Sequence, residues 1–339
     1  MVKIDMQMSL YCVNYYILLP SRQGCSNLCC EILSSRINLP SQEQKKIMHA
    51  PTVSTKLVIL LGNPLGHSIS PPMHNRVFET LGMDYCYLPV EVNEDNLDKV
   101  FSGLVRMNVA GFNVTIPHKI RIMKYLDELD PLAATIGAVN TICVKDGRTK
   151  GYNTDGQGFS RSLAEETRSS VQGKRFFLLG CGGAVRAIAM TLAFEGAEKI
   201  IICNRTAAKA QALVAEINAK IRDCAEVVEQ TTDSQAKALQ TSDVLINGTS
   251  VGMHPKEDEL PLDKSLLLPH LTVADIVYNP LKTRLLCAAE EQGCRAILPG
   301  LGMLIYQGAA AFKLWTGVAP LIGEMTEVAY ALMAKEQGK

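Results

Sequence analysis

The sequence has no excess charge of either sign: 34 lysines and arginines balance 34 aspartates and glutamates, so the formal net charge is zero. A neutral chain gives no electrostatic reason to expect nucleic acid or an anionic membrane surface as a partner. Because 47% of the residues are hydrophobic, the chain has enough apolar material for ordinary globular cores. We therefore expect a small-molecule ligand whose charge is handled inside a pocket.

Long apolar runs are also lacking. No run reaches the roughly 18 residues that a membrane-spanning helix needs. The stretch from Leu10 to Leu19 is as apolar as the core of a secretion signal, but it contains Asn14 and several tyrosines, and no clean small-residue cleavage site follows it. The sequence therefore predicts a cytoplasmic protein with no membrane partner.

The cysteines have no spacing that indicates a metal site. They number 11, an odd count, and no pair with zinc-finger spacing has a matching second pair. The tightest cluster, Cys25, Cys29 and Cys30, has no partner motif. A reduced chain without a bound metal is the simplest interpretation.

The length of 339 residues favours two domains, at roughly 150 residues each. Residues 1–55 are rich in Ser, Cys and Asn and have no sustained period. We expect this segment to be a disordered or non-native extension, with the natural start near Met48. Mass spectrometry of the native N-terminus tests this, because peptides from residues 1–40 would contradict it.

From Leu57 onward, apolar strand runs alternate with helical patterns, which predicts parallel βαβ units and an α/β fold. In a first unit the predicted strands are Leu57–Leu61, Tyr85–Val90 and Gly111–Ile116, and the predicted helices are Pro72–Leu81 and Asn93–Arg106, the latter capped by Asn93. The first unit closes with residues 137–144 and a turn at Gly151-Tyr152-Asn153. In a second unit the predicted strands are Arg175–Leu179, Lys199–Cys203, Val244–Asn247 and Thr272–Val277, and the predicted helices are Ala184–Glu195 and one ending near Lys220. The segment Met303–Met333 is predicted to be helical and to return to the first unit.

A glycine-rich loop lies between the first strand and first helix of the second unit. Residues 180–187 read Gly-Cys-Gly-Gly-Ala-Val-Arg-Ala. Glycines permit a tight turn and a close backbone approach to a pyrophosphate, which helix N-terminal amides then bind. The spacing departs from strict G-x-G-x-x-G, so a purely structural turn stays open. The predicted cofactor contacts in this loop are Gly180, Cys181, Gly182, Gly183 and Ala184.

The end of the next strand indicates which dinucleotide binds. NAD-binding folds commonly place an acidic residue there to hold the ribose hydroxyls. This strand instead ends in Cys203-Asn204-Arg205-Thr206, with Lys209 one turn further. A guanidinium can make a bidentate contact with a 2′-phosphate, which favours NADP and leaves NAD possible. The alternative is that Arg205 and Lys209 form a solvated helix start.

Three polar stretches in the first unit are candidates for a substrate site. Ser68 and Ser70 can direct two hydroxyls at one ligand group, or can cap the helix before Pro72. Lys119, predicted at the start of the helix after Pro117, stands where a positive charge is unfavourable. It is therefore a candidate acid/base group, or else a surface lysine.

The third stretch combines residues 137–141 with residues 151–156. Asn140 and Asp155 each follow apolar residues at the edge of a turn. They are candidate ligand-binding residues or ordinary Asx-turn residues.

Together these stretches resemble the shikimate dehydrogenase family over about residues 57–335. Eight motifs in this order carry the resemblance: Gly-Asn-Pro-x-x-His-Ser-x-Ser-Pro, Asn-Val-Thr-x-Pro-x-Lys, Gly-Ala-Val-Asn-Thr, Asn-Thr-Asp-Gly, Gly-x-Gly-Gly-Ala, Asn-Arg-Thr, Asn-Gly-Thr-Ser-x-Gly-Met and Gly-x-Gly-Met-Leu-x-x-Gln. Each motif is weak alone, and their order makes the resemblance specific. It implies NADP-dependent interconversion of 3-dehydroshikimate and shikimate in aromatic amino-acid biosynthesis.

The resemblance implies a role for each matching position. Lys119 and Asp155 would form the catalytic pair. The substrate site would be lined by Ser68, Ser70, Thr115, Asn140, Tyr278 and Gln307. The cofactor would contact the glycine loop 180–184 and the positions Asn204, Arg205, Thr206 and Lys209, with Ile276 and Gly300 near the nicotinamide.

The implied fold has two α/β domains. The substrate-binding domain would span residues 56–155 and be completed by helices in 302–336. A Rossmann-type, doubly wound NADP-binding domain would span residues 156–301. The active site would lie in the cleft between them, in a monomer or a homodimer.

Two alternatives stay open. Residues 252–259 and 314–317 resemble the branch that also accepts quinate, some members of which use NAD. The second alternative is a catalytically idle nucleotide-binding regulator on the same fold, which would tolerate the loss of Lys119 and Asp155; both are present.

Overall fold

The computed structural model describes residues 50–66 and 68–337. The predicted N-terminal extension lies outside the described residues, apart from its last few positions. His67 of the first polar stretch also lies outside them.

The first of two sheets has six strands in the order β2-β1-β3-β5-β6-β4. They are β1 (Lys56–Gly62), β2 (Tyr85–Glu91), β3 (Val109–Val114), β4 (Glu128–Leu129), β5 (Thr141–Lys145) and β6 (Arg148–Tyr152). Strand β1 is a continuous apolar run that is buried from Val58 onward. It pairs in parallel with both β2 and β3, as expected for a strand buried on both faces.

The second half of this sheet departs from the predicted parallel pattern. Strand β5 is antiparallel to both β3 and β6. A two-residue turn joins β5 to β6, with Asp146 at φ 53° and Gly147 at φ 74°, the left-handed geometry of a tight hairpin. The predicted turn at Gly151-Tyr152 is wrong, because both residues belong to β6.

Five helices belong with this sheet: α1 (Ser70–Thr80), α2 (Leu97–Val105), α3 (Pro131–Ile136), α9 (Gly300–Thr316) and α10 (Ile322–Gln337). The prediction that Asn93 caps α2 is wrong. A 3₁₀ turn, Glu94–Asn96, precedes the helix, and Asn93 Oδ1 accepts a hydrogen bond of 2.6 Å from Asn63.

The two C-terminal helices pack with α1 on one face of the sheet. Met73 of α1, Phe312 of α9 and Met325 of α10 share a core cluster with Val58 and Leu60 of β1. We call residues 56–152, together with α9 and α10, the first lobe. The predicted domain boundaries stay a prediction.

The second sheet is parallel throughout, in the order β12-β11-β10-β7-β8-β9. Its strands are β7 (Arg175–Leu179), β8 (Lys199–Cys203), β9 (Ala225–Val228), β10 (Val244–Asn247), β11 (Thr272–Asp275) and β12 (Ala296–Leu298). Its helices are α4 (Asp155–Thr167), α5 (Gly183–Phe194), α6 (Ala207–Lys220), α7 (Thr232–Gln240) and α8 (Arg284–Glu291). We call residues 155–298 the second lobe.

Helices cover both faces of this sheet. In β7, Phe176 packs in the core that contains α4, α5 and α6 residues, whereas Phe177 packs with residues of α7 and α8. The strand order reverses between β7 and β10, and ligands of doubly wound sheets bind outside the carboxyl ends of strands at such a switch point. The predicted fold class, a two-lobed α/β protein with a Rossmann-type sheet, is confirmed.

Over residues 50–66 and 68–337, no helix combines the length and the hydropathy that crossing a membrane requires. Over the same residues, His, Cys, Asp and Glu form no cluster that could hold a metal ion.

Candidate active site

A cavity of about 330 Å³ lies where the carboxyl ends of β1 and β3 face the end of β11 and the start of α9. Its lining combines residues of both lobes. They are Leu60, Pro64, Leu65, Gly66, Ser68, Ser70, Asn113, Val114, Thr115, Lys119, Asn140, Asp155, Ala184, Ile276, Tyr278, Gly300, Met303, Leu304 and Gln307. The structure thus brings together both predicted catalytic residues, all six predicted substrate residues and three of the predicted cofactor residues.

The shortest polar contact in this cavity joins Lys119 Nζ to Asp155 Oδ2 at 2.6 Å. Lys119 lies in the turn after Pro117, ahead of a 3₁₀ helix that begins at Arg121. The expectation that it starts a helix is therefore wrong, and the helix-terminus argument does not apply. Its side chain is 21% exposed and that of Asp155 is 8% exposed, so the pair faces the cavity from a largely desolvated position.

Asp155 is the first residue of α4, where the positive end of the helix dipole favours a carboxylate. Its Oδ1 accepts a hydrogen bond of 2.8 Å from Asn140 Nδ2, and its backbone N–H donates to Asn153 Oδ1 at 3.1 Å. One carboxylate oxygen is thus held by an amide while the other holds the ammonium of Lys119. The arrangement orients the ammonium towards the cavity.

Asn140 connects the Lys119–Asp155 pair to neighbouring strands and helices through hydrogen bonds. Its Oδ1 accepts from the backbone N–H of Thr154 at 2.8 Å and from the hydroxyl of Thr141 at 2.9 Å. Its Nδ2 also lies 3.0 Å from Thr154 Oγ1 and 3.4 Å from Gln307 Oε1. Asn140 is therefore more than an Asx-turn residue, because it links β5, the start of α4 and α9.

Two residues of this network were not assigned from the sequence. Thr154, 1% exposed, hydrogen-bonds to Asn140 and stands inside the Asn-Thr-Asp-Gly motif. Asn113, in the Asn-Val-Thr motif, lines the cavity, donates to the Asn140 carbonyl at 3.1 Å and accepts from Tyr87 Oη at 2.8 Å. Their presence in the motifs was the only available signal, since both contacts are tertiary.

The serine pair stands at the entrance to α1. Ser70 is the first residue of the helix, and no side chain caps it. The backbone N–H of Ser70 is 3.4 Å from Ser68 Oγ. Both serines line the cavity, which leaves them available to a ligand.

The glycine loop has the geometry of a dinucleotide cradle. Gly180 has φ 101°, and a Cβ there would stand 3.1 Å from the Gly248 carbonyl oxygen. At Gly182 and Gly183 a Cβ would meet nothing within 4 Å, so these backbones border open space. Helix α5 begins at Gly183 without a side-chain cap. Its first amides therefore fit the pyrophosphate of a dinucleotide.

Within the glycine loop, the Cys181 thiol is uncharged at neutral pH, because burial raises its pKa to about 11.

The end of β8 presents cations, as the sequence predicts. Arg205, Thr206 and Lys209 are exposed, and Asn204 Nδ2 holds the turn by donating to the Thr206 carbonyl at 2.9 Å. Across residues 50–66 and 68–337, neither Arg205 nor Lys209 makes an ion pair. Both cations suit a phosphate group, and the roles of all the site residues stay predictions.

Family models and known proteins match most of the chain. Three family models match: the shikimate dehydrogenase substrate binding domain over residues 60–142, the shikimate/quinate 5-dehydrogenase over residues 162–255, and the shikimate 5′-dehydrogenase C-terminal domain over residues 300–330. A shikimate dehydrogenase (NADP(+)) of Bacillus cereus strain G9842 is 47% identical over 269 residues, which cover 79% of this chain and 95% of that protein.

Solved structures are similar as well. Shikimate 5-dehydrogenase from Listeria monocytogenes, in complex with shikimate and NAD, has a TM-score of 0.80 and 42% identity, covering 84% of this chain and 99% of that one. A shikimate dehydrogenase in complex with NADP+ has a TM-score of 0.79 and 43% identity, covering 85% of this chain and 99% of that one. The chain belongs to the shikimate dehydrogenase family.

Proposed function

We propose that this protein catalyses the reversible, NADP-dependent reduction of 3-dehydroshikimate to shikimate. The observation that carries the proposal is the Lys119–Asp155 contact of 2.6 Å in a cavity lined by all six predicted substrate residues. The shikimate dehydrogenase (NADP(+)) relatives support the same activity.

Reduction of a ketone adds a hydride to the carbonyl carbon and a proton to its oxygen. NADPH supplies the hydride when it is bound. The Lys119 ammonium stabilises the negative charge that develops on the oxygen and donates the proton. In the reverse direction Lys119 accepts that proton from the substrate hydroxyl.

Asp155 acts on the same centre. Its carboxylate accepts a hydrogen bond from a substrate hydroxyl and keeps the lysine ammonium in place. The hydrogen bond from Asn140 to Asp155 Oδ1 fixes the carboxylate while Oδ2 stays on Lys119.

The remaining substrate groups are bound by neutral donors. The hydroxyls of Ser68, Ser70 and Tyr278 bind the substrate carboxylate. Thr115, Asn140 and Gln307 bind the ring hydroxyls. All of these side chains line the cavity.

The cofactor is NADP, and the amides of residues 180–184 would hold its pyrophosphate. Arg205 and Lys209 would hold its 2′-phosphate, with Asn204 and Thr206 shaping the turn, and Ile276 and Gly300 would border the nicotinamide. The absence of a carboxylate at Asn204 supports NADP over NAD. The reaction belongs to aromatic amino-acid biosynthesis in the cytoplasm, and the protein acts as a monomer or a homodimer.

An absorbance assay at 340 nm tests the proposal, with the purified full-length chain and all four combinations of shikimate or quinate with NADP or NAD. Activity confined to shikimate with NADP is the expected result. Comparable rates with quinate or NAD would instead support a quinate/shikimate dehydrogenase, in line with residues 252–259. No activity in any of the four combinations would support the catalytically idle nucleotide-binding regulator.

A further inference from the structure

We propose that Asp275 is a positioning residue for this reaction: its buried carboxylate ties three segments together, namely the stretch that carries the cavity residues Ile276 and Tyr278, the loop after β10 and the start of α8. The inference rests on the proposed function. Asp275 is the last residue of β11 and is 1% exposed. It does not line the cavity, but Ile276 and Tyr278, which follow it, do.

The first segment is the stretch that contains these two cavity residues. Asp275 Oδ1 accepts a hydrogen bond of 3.0 Å from the backbone N–H of Val277. Val277 is buried, so its side chain points into protein while Ile276 and Tyr278 border the cavity. The bond to Val277 therefore sets the direction of both cavity residues.

The second segment is the loop after β10. Asn247 Nδ2 donates to Asp275 Oδ1 at 3.0 Å and to the Val251 carbonyl at 3.1 Å. Asn247 Oδ1 accepts from the N–H of Thr249 at 3.1 Å and from its hydroxyl at 2.7 Å. Asp275 thus holds the amide that shapes the loop at the carboxyl end of the neighbouring strand.

The third segment is the start of α8. Thr283 caps this helix, and its hydroxyl donates to Asp275 Oδ2 at 2.7 Å. Close packing at Gly300 also restricts the position of Ile276. A Cβ on Gly300 would stand 2.5 Å from the Ile276 carbonyl oxygen, so the backbone of Ile276 packs closely against the start of α9.

The energetics of Asp275 favour a positional role over a simple stabilising one. Burial raises the pKa of its carboxyl to about 6, against the hydrogen bonds from Thr283, Val277 and Asn247. In the described part of the chain it has no ion-pair partner, and an unpaired buried charge opposes folding. The carboxylate instead provides acceptors for three hydrogen bonds, from Val277, Asn247 and Thr283, and so fixes three segments at one point.

The experiment compares Asp275→Ala and Asp275→Asn with the wild-type full-length enzyme. An asparagine retains an acceptor oxygen for Val277 and Asn247, and its NH₂ can donate to the Thr283 hydroxyl. We expect Asp275→Ala to raise KM for shikimate by about tenfold or more and Asp275→Asn to stay within about threefold of wild type. The matched control is Asp243→Asn, because Asp243 accepts the N–H of Arg175 at 2.8 Å at the amino ends of strands in the same sheet, whereas Asp275 lies at a carboxyl end.

Thr283→Val supplies a milder variant in case Asp275→Ala does not fold, and Thr283→Ser is its conservative rescue. The valine variant should raise KM while the serine variant restores it. Isothermal titration of shikimate against each folded variant in the presence of NADP+ gives a readout that does not depend on turnover. We expect about tenfold weaker binding for Asp275→Ala and wild-type binding for Asp243→Asn.

Three results would overturn the proposal. They are wild-type KM and binding in folded Asp275→Ala, equal losses in the Ala and Asn variants of Asp275, or a rise in KM for Asp243→Asn as large as that for Asp275→Ala. Failure of the proposed function itself looks different, since the wild-type enzyme would then show neither turnover nor shikimate binding.

Discussion

Arg186 holds both carboxylate oxygens of Glu216, with each N–O distance at 2.8 Å. Arg186 lies on α5 and Glu216 on α6, so the pair joins two helices of the second lobe. The Nε of Arg186 also donates to the carbonyl oxygen of Ile136, the last residue of α3 in the first lobe. The hydrogen bonds from Arg186 lower the pKa of Glu216 to about 2, with a further contribution from Lys220. One planar guanidinium therefore connects the helix behind the glycine loop to the segment that leads into Asn140.

Replacing Arg186 by lysine should weaken this connection while retaining the positive charge. A lysine cannot make the fork contact with Glu216 and donate sideways to Ile136 at once. We expect a loss of about 1–2 kcal/mol in the free energy of unfolding, measured by urea denaturation. Arg175→Lys is the control, since Arg175 pairs with Glu198 at 3.6 Å through one nitrogen on the surface. Equal stability of the two variants would show that the fork geometry contributes nothing.

Lys119→Met should remove the proton donor without opening the cavity. We expect kcat to fall by about 10²–10⁴ with a modest change in KM for shikimate. Steady-state kinetics measure both constants. Lys124→Met, at the end of the 3₁₀ helix that follows, is the matched control, and it should keep wild-type kcat. Near-normal turnover of Lys119→Met would remove Lys119 from the mechanism.

The parts of the fold that could be predicted are those where local pattern and tertiary environment agree. The runs in β1, β7 and β8 are apolar because these strands are buried on both faces, so their composition alone indicated strands. Strand β6 reads Arg-Thr-Lys-Gly-Tyr, with polar residues on an open face and a glycine. Its strand character comes from pairing with β5, which the sequence of β6 does not reveal. Strand β12 has three residues, too short for any periodicity.

The site residues also fall into those that local sequence indicates and those that only the tertiary structure reveals. Lys119, Asp155 and the glycine loop stand in motifs and could be located from the sequence. Asp275 and Thr154 act through partners elsewhere in the chain; Asp275 and Asn247 are 28 residues apart. A buried polar residue at the end of a strand is recognised as part of a network only when the neighbouring strand is known. The residues that were not assigned are therefore those that act by holding other residues in place, and two of them, Asp275 and Thr154, do not line the cavity.

Arg205→Ala tests the assignment of the 2′-phosphate contact. Arg205 is exposed at the end of β8, so its removal should not disturb the core. We expect KM for NADP to rise by about tenfold or more while KM for NAD changes little, because only NADP carries the extra phosphate. The control is Arg106→Ala, an exposed arginine of the first lobe. Equal losses for both cofactors would mean that Arg205 does not recognise the 2′-phosphate.

His74 should make the folded state sensitive to acid. Its imidazole is 0% exposed and stacks on Tyr87 with ring centroids 4.7 Å apart. Within the described residues, neither ring nitrogen has a hydrogen-bond partner. Burial lowers the pKa of His74 from 6.5 to about 3. Below pH 6.5 the unfolded chain therefore binds a proton that the folded protein does not, so the stability present above pH 6.5 is lost as the pH falls towards 3.

Chemical denaturation between pH 7 and pH 5 measures this effect. One such histidine costs about 2 kcal/mol over that interval. His74→Phe and His74→Leu remove the titrating group, and both should flatten the dependence by that amount whatever their stability at pH 7. His254→Gln, at an exposed histidine, is the control. An unchanged slope in both His74 variants would contradict the assignment.

Gly158 should be intolerant of any side chain, because α4 and α9 are in close contact there. A Cβ on Gly158 would stand 2.7 Å from both the Cβ and the backbone nitrogen of Gln307, and 2.8 Å from the carbonyl oxygen of Met303. The obstacles are mainly backbone atoms, which cannot rotate away, so Gly158→Ala must separate the two helices and displace Gln307. We expect a loss of about 1–3 kcal/mol in stability, read by thermal denaturation, together with a higher KM for shikimate. The same substitution at Gly103 in α2, where a Cβ meets nothing within 4 Å, should instead stabilise the protein by about 0.5–1 kcal/mol. Stability changes of opposite sign in the two variants would establish that the helix contact, and not helix propensity, makes glycine necessary at position 158. A Gly158→Ala variant that is more stable than wild type and has an unchanged KM would refute the close approach of the two helices.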